Sequence, residues 1–140
     1  MSIRIGTPKY FVSSGTLGGA SGRNITYPDS LTGFSIITSI GILYTATATA
    51  GSRQPILLIK DQSGNAIWEI VYSTAITASQ VVHLHAAAGA TFQSVTGPPL
   101  AQYAPIPIEM PLPAFFTVSI LDNNNVDPND SVAAATTYTL

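Results

Sequence analysis

Residues 53–72 read RQPILLIKDQSGNAIWEIVY, and this stretch decides the fold class. Ile56 to Ile59 form a continuous apolar run, which is typical of a strand buried on both faces. Asp61 to Asn65 supply turn chemistry, because glycine and asparagine both tolerate positive φ. Ile67 to Tyr72 resume as a second strand-forming segment that carries the single tryptophan, Trp68. The stretch predicts a β-hairpin, which we expect to be the centre of an all-β domain.

Period-two patterns around this hairpin predict further strands. From Ile40 to Ala50 the even positions are apolar and several odd positions are threonine, as in a half-buried strand. Gln80 to Ala86 alternates in the same way, although the alanines from Ala86 to Ala90 could close as a short helical turn. Phe115 to Leu121 and Ser131 to Leu140 predict a closing hairpin around a wide polar turn. Turn signals recur about every 8–12 residues, which predicts an antiparallel β-sandwich or jelly roll of about eight strands.

Two segments have little to bury of their own. Ser13 to Asn24 contains four glycines and predicts a flexible arm; its glycine spacing matches neither the dinucleotide fingerprint nor the P-loop. Six of the ten prolines fall between Pro98 and Pro113, which predicts an extended segment along a sheet edge, or an arm on another molecule. The alternative of a PxxP ligand lacks flanking basic residues. We therefore expect an N-terminal segment with a Gly/Ser-rich arm over residues 1–33 and one sandwich domain over residues 34–140.

Charge is scarce in this chain. Charged residues make up 9% of the 140 residues, against about 25% in typical soluble domains. A surface of Ser, Thr, Asn, Gln, Ala and Gly is easily desolvated, which suits permanent burial against partners; the alternative is that some β proteins are simply rich in Thr and Ser. The net charge is −2 and the five basic residues are scattered, so we expect no nucleic-acid partner.

Other classes of protein are disfavoured by what the sequence lacks. The absence of cysteine excludes disulfides, thiol catalysis and cysteine metal sites. The first residues lack the apolar region of a signal peptide. No apolar run approaches the roughly 18 residues that a membrane span needs, so we expect no membrane partner.

Two groups of residues could bind a metal ion. His83 and His85 share one face if this segment is a strand, and His-x-His can present two ligands, but no third ligand is identifiable. Two exposed or interface histidines are the simpler interpretation. The stretch 122–130 holds Asp122, Asp127 and Asp130, oxygen ligands suited to calcium, but it lacks the glycine and glutamate of an EF-hand loop. Asp and Asn also cluster in turns without a metal.

The remaining candidates are aromatic or catalytic. Trp68 and Tyr72 could form a sugar-stacking platform, although such residues are more often core or interface anchors. No G-x-S-x-G motif occurs, and a Ser-His-Asp triad would have to use one of the two histidines. We therefore expect no enzyme, no catalytic residue and no cofactor.

Taken together, the chain resembles a head decoration (cement) protein of a tailed bacteriophage, of the small jelly-roll type. The resemblance lies in the segments SSGTLGGASG, GILYTATATA, QPILLIKDQSGNAIWEI and FFTVSILDNNNVDPNDSVAAATTYTL, none of which is a diagnostic motif. It implies a homodimer or homotrimer on the outer surface of the virion, assembled in the host cytoplasm. Each copy would clamp neighbouring subunits of the major capsid protein against the pressure of packaged DNA.

The resemblance also suggests which residues would contact the capsid. If the Gly/Ser arm, the proline-rich segment and the aromatic hairpin lie on the shell, the contacts are Leu17, Arg23, Tyr103, Ile106, Ile108, Trp68 and Tyr72. The alternative function is a glycan- or receptor-binding β-sandwich module, as in a head fibre or tail component. A third possibility, an enzyme, would need His83 or His85.

Overall fold

The computed structural model describes residues 9–19, 22–25, 35–97, 99–107 and 110–139, which form eleven strands. Their bounds are β1 Lys9–Thr16, β2 Arg23–Ile25, β3 Ser35–Thr45, β4 Pro55–Lys60, β5 Ala66–Val71, β6 Val81–Ala88, β7 Gln93–Val95, β8 Leu100–Ile106, β9 Met110–Leu112, β10 Thr117–Asp122 and β11 Ser131–Thr139. Among these residues, no helix has the length and apolarity needed to cross a membrane.

The strands form two sheets of a β-sandwich, as the sequence predicts. The larger sheet has the order β1-β11-β3-β6-β8-β7, with β9 paired to the beginning of β3, and the smaller sheet has the order β2-β10-β4-β5. The predicted count of about eight strands is too low, partly because β2 and β9 have three residues each and give no periodic signal. The prediction of antiparallel pairing fails for one pair, since β6 and β8 run parallel.

The core lies between the sheets because alternate residues of each strand point inward. Ile42 and Leu84 of the larger sheet and Leu57 and Ile120 of the smaller one are at most 2% exposed. The predicted alternation from Ile40 is confirmed through Ala46. The strand itself ends at Thr45 rather than at Ala50, because the following residues form a loop that is bonded to the 122–130 loop.

The hairpin at residues 55–71 forms as predicted, but it is not the centre of the domain. Asp61 accepts backbone N–H bonds from Ser63 and Asn65, each at 2.9 Å, and Gly64 takes a φ of 84° that favours glycine. However, β5 ends the strand order of the smaller sheet. Its inward residues still reach the core: Ile70 is buried, and Trp68 packs against the core from a partly buried position.

The predicted closing hairpin is wrong, although both of its strands exist. β10 pairs with β2 and β4 in the smaller sheet, whereas β11 pairs with β1 and β3 in the larger one. The polar stretch between them therefore crosses from one sheet to the other. Alternation along each strand shows only that one face is buried, and it does not identify the sheet to which the strand belongs.

Part of the predicted Gly/Ser arm belongs to the sandwich. Ser13 to Thr16 continue β1 and pair with Ser131 to Ala134 of β11, while Asn24 in β2 pairs with Ser119. The Leu17 side chain is 2% exposed, within the core. Pairing with β11 supplies the hydrogen bonds that this glycine-rich segment cannot make by itself. Residues 1–8 and 20–21 lie outside the described part of the chain.

The described part of the proline-rich segment joins the larger sheet: β8 lies next to β6 and β7, and β9 pairs with one strand only, at an edge, as the prolines predict. β8 pairs with β6 along its whole length and with β7 from Ala101 to Tyr103. Pro105 lies beyond the residues that β7 pairs, so its missing N–H costs no bond on that side. β9, with Pro111 at its centre, pairs with the beginning of β3.

One end of the sandwich contains a buried ion pair between Arg53 and Asp130, both with 0% exposed side chains. Arg53 Nε donates to Asp130 Oδ2 at 2.9 Å and Nη2 donates to Oδ1 at 3.2 Å, so the contact is bidentate. Tyr44 Oη donates to Oδ2 and the Thr47 backbone N–H donates to Oδ1, each at 2.8 Å. The Arg53 backbone is also fixed, because it exchanges two hydrogen bonds with Ile76.

The carboxylate of Asp130 is held in its charged form. Burial raises its pKa, but the hydrogen bonds from Arg53, the Thr47 backbone and Tyr44 outweigh burial, so the pKa lies below its ordinary value. Burial, followed by the bond to Asp130, raises the pKa of Tyr44, which keeps the phenol protonated as a donor. The buried charges are therefore paired and fully bonded, which is the condition for tolerating them in a core.

We predict that Asp130→Asn lowers the free energy of unfolding by about 3–5 kcal/mol, because it leaves the buried Arg53 without a counter-charge. Urea denaturation followed by circular dichroism measures the change. Asp61→Asn is the matched control, since it removes one carboxylate charge from an exposed turn, and we expect a far smaller effect. Equal losses in the two variants would show that the ion pair has no special role in stability.

Candidate functional site

A broad surface of the described residues is the side of the larger sheet that faces away from the core, called the outer face below. It consists of alternate side chains of six neighbouring strands, defined by the strand registers. Its members are Val12, Ser14, Thr16, Ser131, Ala133, Ala135, Thr137, Ser39, Gly41, Leu43, Thr45, Val81, His83, His85, Ala87, Ala101, Tyr103, Pro105, Gln93 and Val95.

No Lys, Arg, Asp or Glu occurs among the members of the outer face. Its middle is low, because Gly41 pairs with Ala135 and Leu43 pairs with Ala133. Its apolar members include Val12, whose side chain is 58% exposed. The smaller sheet differs, since Lys60 and Glu69 lie on its strands β4 and β5. Charged residues are scarce in the whole chain, and they are absent from the members of the outer face.

Three rings form a stacked row on the outer face. His83 and His85 have ring centroids 6.0 Å apart with planes 4° from parallel, and His85 stacks on Tyr103 at 4.9 Å. This confirms that the two histidines share one face of a strand, and the competing helical turn over the following alanines is wrong because β6 continues to Ala88. Burial, followed by the neighbouring His83, lowers the pKa of His85, so its ring is neutral at pH 7.

The acidic loop 122–130 uses its carboxylates within the protein. Asp122 accepts backbone N–H bonds from Gln54, Asn124 and Val126, between 2.8 and 3.0 Å. Asp127 Oδ2 accepts the hydroxyls of Thr47 and Thr49, each at 2.6 Å, which lower its pKa to about 2. Within the described residues, no group of three or more acidic or histidine side chains is placed to hold a metal ion.

A shallow cavity opens next to the outer face. It has a volume of about 150 Å³, and its lining includes Phe92, Tyr103, Gln93 and Ser94. The Phe92 side chain is 67% exposed and that of Tyr103 is 37% exposed. An aromatic surface beside amide and hydroxyl groups is a combination that can bind a small polar ligand.

The predicted contact residues do not lie together. Leu17, Ile106 and Tyr72 are each at most 5% exposed, so their side chains are removed from the candidate contact surface. Tyr72 Oη donates to the His85 carbonyl at 3.0 Å, and burial raises the pKa of the phenol. The predicted sugar platform of Trp68 and Tyr72 therefore cannot form as expected.

The other predicted contacts have separate positions. Arg23 is half-buried and its guanidinium donates to the Ser14 carbonyl at 2.6 Å. Trp68 packs against the core, and Tyr103 lies on the outer face. Ile108 lies outside the described residues. Of the predicted contact residues, only Tyr103 is a member of the outer face.

The sequence analysis missed most of the outer face. Many of its members have small side chains, and they occupy the alternate strand positions that point away from the core. A signal was nevertheless present, because several strand segments keep their non-core positions free of charge, as in the alanines and threonines of residues 131–139. What the sequence lacked was the order of the strands, which brings these positions together.

Comparisons with known proteins give little further information. No family model matches the chain, and no curated protein matches it. Over 99% of its length the chain is similar to part of a chain in a structure entitled "Structure of infectious bursal disease virus Gx strain", at 12% sequence identity and a TM-score of 0.36. The matched region is 31% of that viral chain. A likeness at this TM-score carries no argument about function.

We predict that acid destabilises the protein partly through Asp127. Its pKa in the folded state is about 2, against an ordinary value of 3.8, so its contribution to stability is complete above pH 3.8 and is lost as the pH falls towards 2. Urea midpoints measured at pH 5, 4, 3 and 2.5 should fall less steeply for Asp127→Asn than for the wild type. Parallel curves for the two proteins would contradict the role of the Thr47 and Thr49 hydroxyl bonds.

Proposed function

We propose that this chain is a virion structural protein, namely a capsid cement or decoration protein of a tailed bacteriophage. It would bind the outside of the head and clamp neighbouring major capsid subunits, with the capsid protein and further copies of itself as partners. The observation that carries the proposal is the charge-free outer face of the larger sheet. The role is structural rather than enzymatic.

The chemistry of the outer face favours close docking of another protein. Removing charged groups from water is costly unless each is paired, and this face has no such groups. Gly41, Ala133 and Ala135 leave the backbone near the surface, so that a partner can approach closely. The aromatic and aliphatic members, such as Tyr103 and Val12, supply apolar area at its two sides.

The size of the outer face fits a shell-bound subunit. Six strands at about 4.8 Å spacing, with an average length of roughly 23 Å, cover about 650 Å². A standard stable interface buries about 800 Å² on each partner, so this face alone would support moderate affinity. Moderate affinity is sufficient on a shell, because each clamp joins subunits that their neighbours already hold in place.

The first experiment asks whether the protein travels with particles and whether the outer face is responsible. Purified protein is mixed with particles from its source and sedimented, and we expect stoichiometric recovery with the wild type. Ala135→Lys should reduce binding at least about thirtyfold, because it buries an unpaired charge at a cost of about 2 kcal/mol or more. Ala66→Lys is the matched control, as an exposed alanine in a strand of the other sheet, and should bind as the wild type does.

Ionic strength gives a second readout in the same assay. A contact without charges should be nearly insensitive to salt between about 50 mM and 500 mM, whereas contacts between exposed charges weaken over this range. Failure of the wild-type protein to sediment with particles would refute the decoration role. Equal binding of the two lysine variants would leave that role intact and reject the outer face as the docking surface.

The cavity beside Phe92 and Tyr103 supports a second candidate function, a glycan- or receptor-binding module. Aromatic rings bind the apolar faces of sugars, and the neighbouring Gln93 and Ser94 offer polar groups at the same opening. Tyr72 also lines this cavity, although its side chain is 2% exposed, whereas Trp68 does not line it, so the predicted platform of Trp68 and Tyr72 is not the ligand surface.

A glycan array tests this second candidate. Specific binding that is lost in Phe92→Ala, but retained in Phe115→Ala, would support it. Both phenylalanines are exposed, at 67% and 55%, and only Phe92 lines the cavity, so the pair is matched for burial. An array without any hit above background would remove the glycan hypothesis.

A further inference from the structure

We propose that His83 and His85 bind a divalent transition-metal ion of the zinc, nickel and copper class on the outer face of the larger sheet. The two imidazoles lie on the same side of β6, two residues apart, with centroids 6.0 Å apart and planes 4° from parallel. Imidazole nitrogen is a preferred ligand for these ions, whereas calcium and magnesium prefer oxygen. This inference is independent of the proposed capsid role.

The imidazole nitrogens are available to a ligand. Among the described residues, neither ring has a hydrogen-bonding partner, and His85 stacks on both His83 and Tyr103. Both side chains are partly exposed, so an ion can reach them from solvent. Unused ring nitrogens on a partly covered surface distinguish this pair from a histidine that is bonded within a core.

The charge around the two histidines suits an incoming cation. A metal ligand must be the neutral imidazole, because a protonated ring nitrogen has no lone pair to donate. The titratable groups that face His85 are His83 on its own strand and Tyr103 on β8, while Gly41 and Leu43 of β3 carry none. No Lys or Arg is a member of the outer face, so no such charge repels an incoming ion.

Space for coordination exists next to His85. Gly41 lies directly across from it on β3, and a Cβ at this position would be 3.7 Å from His85 Nδ1. The glycine therefore leaves the approach to this nitrogen open. On the other side, Tyr103 stacks against the ring at 4.9 Å and limits its movement.

Binding requires the two rings to turn towards each other. Metal–nitrogen bonds of about 2.0–2.1 Å place two coordinating nitrogens roughly 3 Å apart, which is closer than the stacked rings allow without rotation. The described residues offer no third ligand, so the remaining positions belong to water or to a group of a docked molecule. The site is therefore open, and the ion can exchange.

The composition of the chain makes the test unusually direct. The protein has two histidines and no cysteine, so binding of this kind has no other imidazole and no thiolate ligand. Isothermal titration of the full chain with ZnCl2, and separately with NiCl2, should give saturable binding. His83→Gln and His85→Gln should each weaken binding at least about tenfold, because each removes one arm of the chelate.

Further measurements separate this site from nonspecific binding and from misfolding. Thermal melts should show both variants folded, since the histidines lie outside the core. Titration with CaCl2 is the control for carboxylate binding and should give no comparable heat. In the wild type, Zn²⁺ should shift the NMR signals of both imidazoles together, and its binding should weaken as the pH falls and the rings take up protons.

The outcomes are distinct. One ion for each chain, or one ion shared by two chains, would support the proposal, provided that both histidine variants weaken the binding. Zinc binding of the wild type no tighter than that of the double variant His83→Gln/His85→Gln would overturn it. Metal binding is measured on the isolated protein and docking is measured by sedimentation of the wild type with particles, so the failure of one proposal can be told from the failure of the other.

Discussion

The buried pair of Arg53 and Asp130 is the constraint on which the organisation of this sandwich depends. Asp130 ends the loop that crosses from the smaller sheet to the larger one, and Arg53 lies just before β4 of the smaller sheet. Tyr44 of β3 bonds to the same carboxylate. Parts of both sheets therefore meet at one pair of charges. A fully buried ion pair tolerates little movement of its two residues, because any displacement leaves a charge in the core without its partner.

The polar loops at this end of the sandwich use their side chains within the protein. Thr47, Thr49 and the acidic residues of the 122–130 loop bond to one another, and Arg53 Nη1 donates to the backbone carbonyls of Thr49 and Gly51. These hydrogen bonds fix one end of the sandwich. A cluster that resembles a calcium loop in the sequence is thus explained as an internal network.

We instead expect function at the outer face, whose side chains do not take part in the network around Arg53 and Asp130. The outer face combines small residues, a few exposed apolar side chains and a stacked row of His83, His85 and Tyr103. Its lack of charge lowers the cost of removing water when a partner docks. The same row supplies two ring nitrogens that the fold does not use. A docking role and a metal-binding role can therefore occupy one face without competing for the groups that stabilise the fold.

The sequence by itself determined the all-β class, the hairpin at residues 55–71, and which residues of β3 and β11 point inward. These features are local, since they depend on turn chemistry and on a period of two. Tertiary structure alone decided that β10 and β11 lie in different sheets, that Ser13 to Thr16 pair with β11, and that Tyr72 is buried. It also decided the outer face, because that face exists only through the order of six strands. Alternation gives each strand two faces, and long-range pairing determines which neighbours those faces acquire.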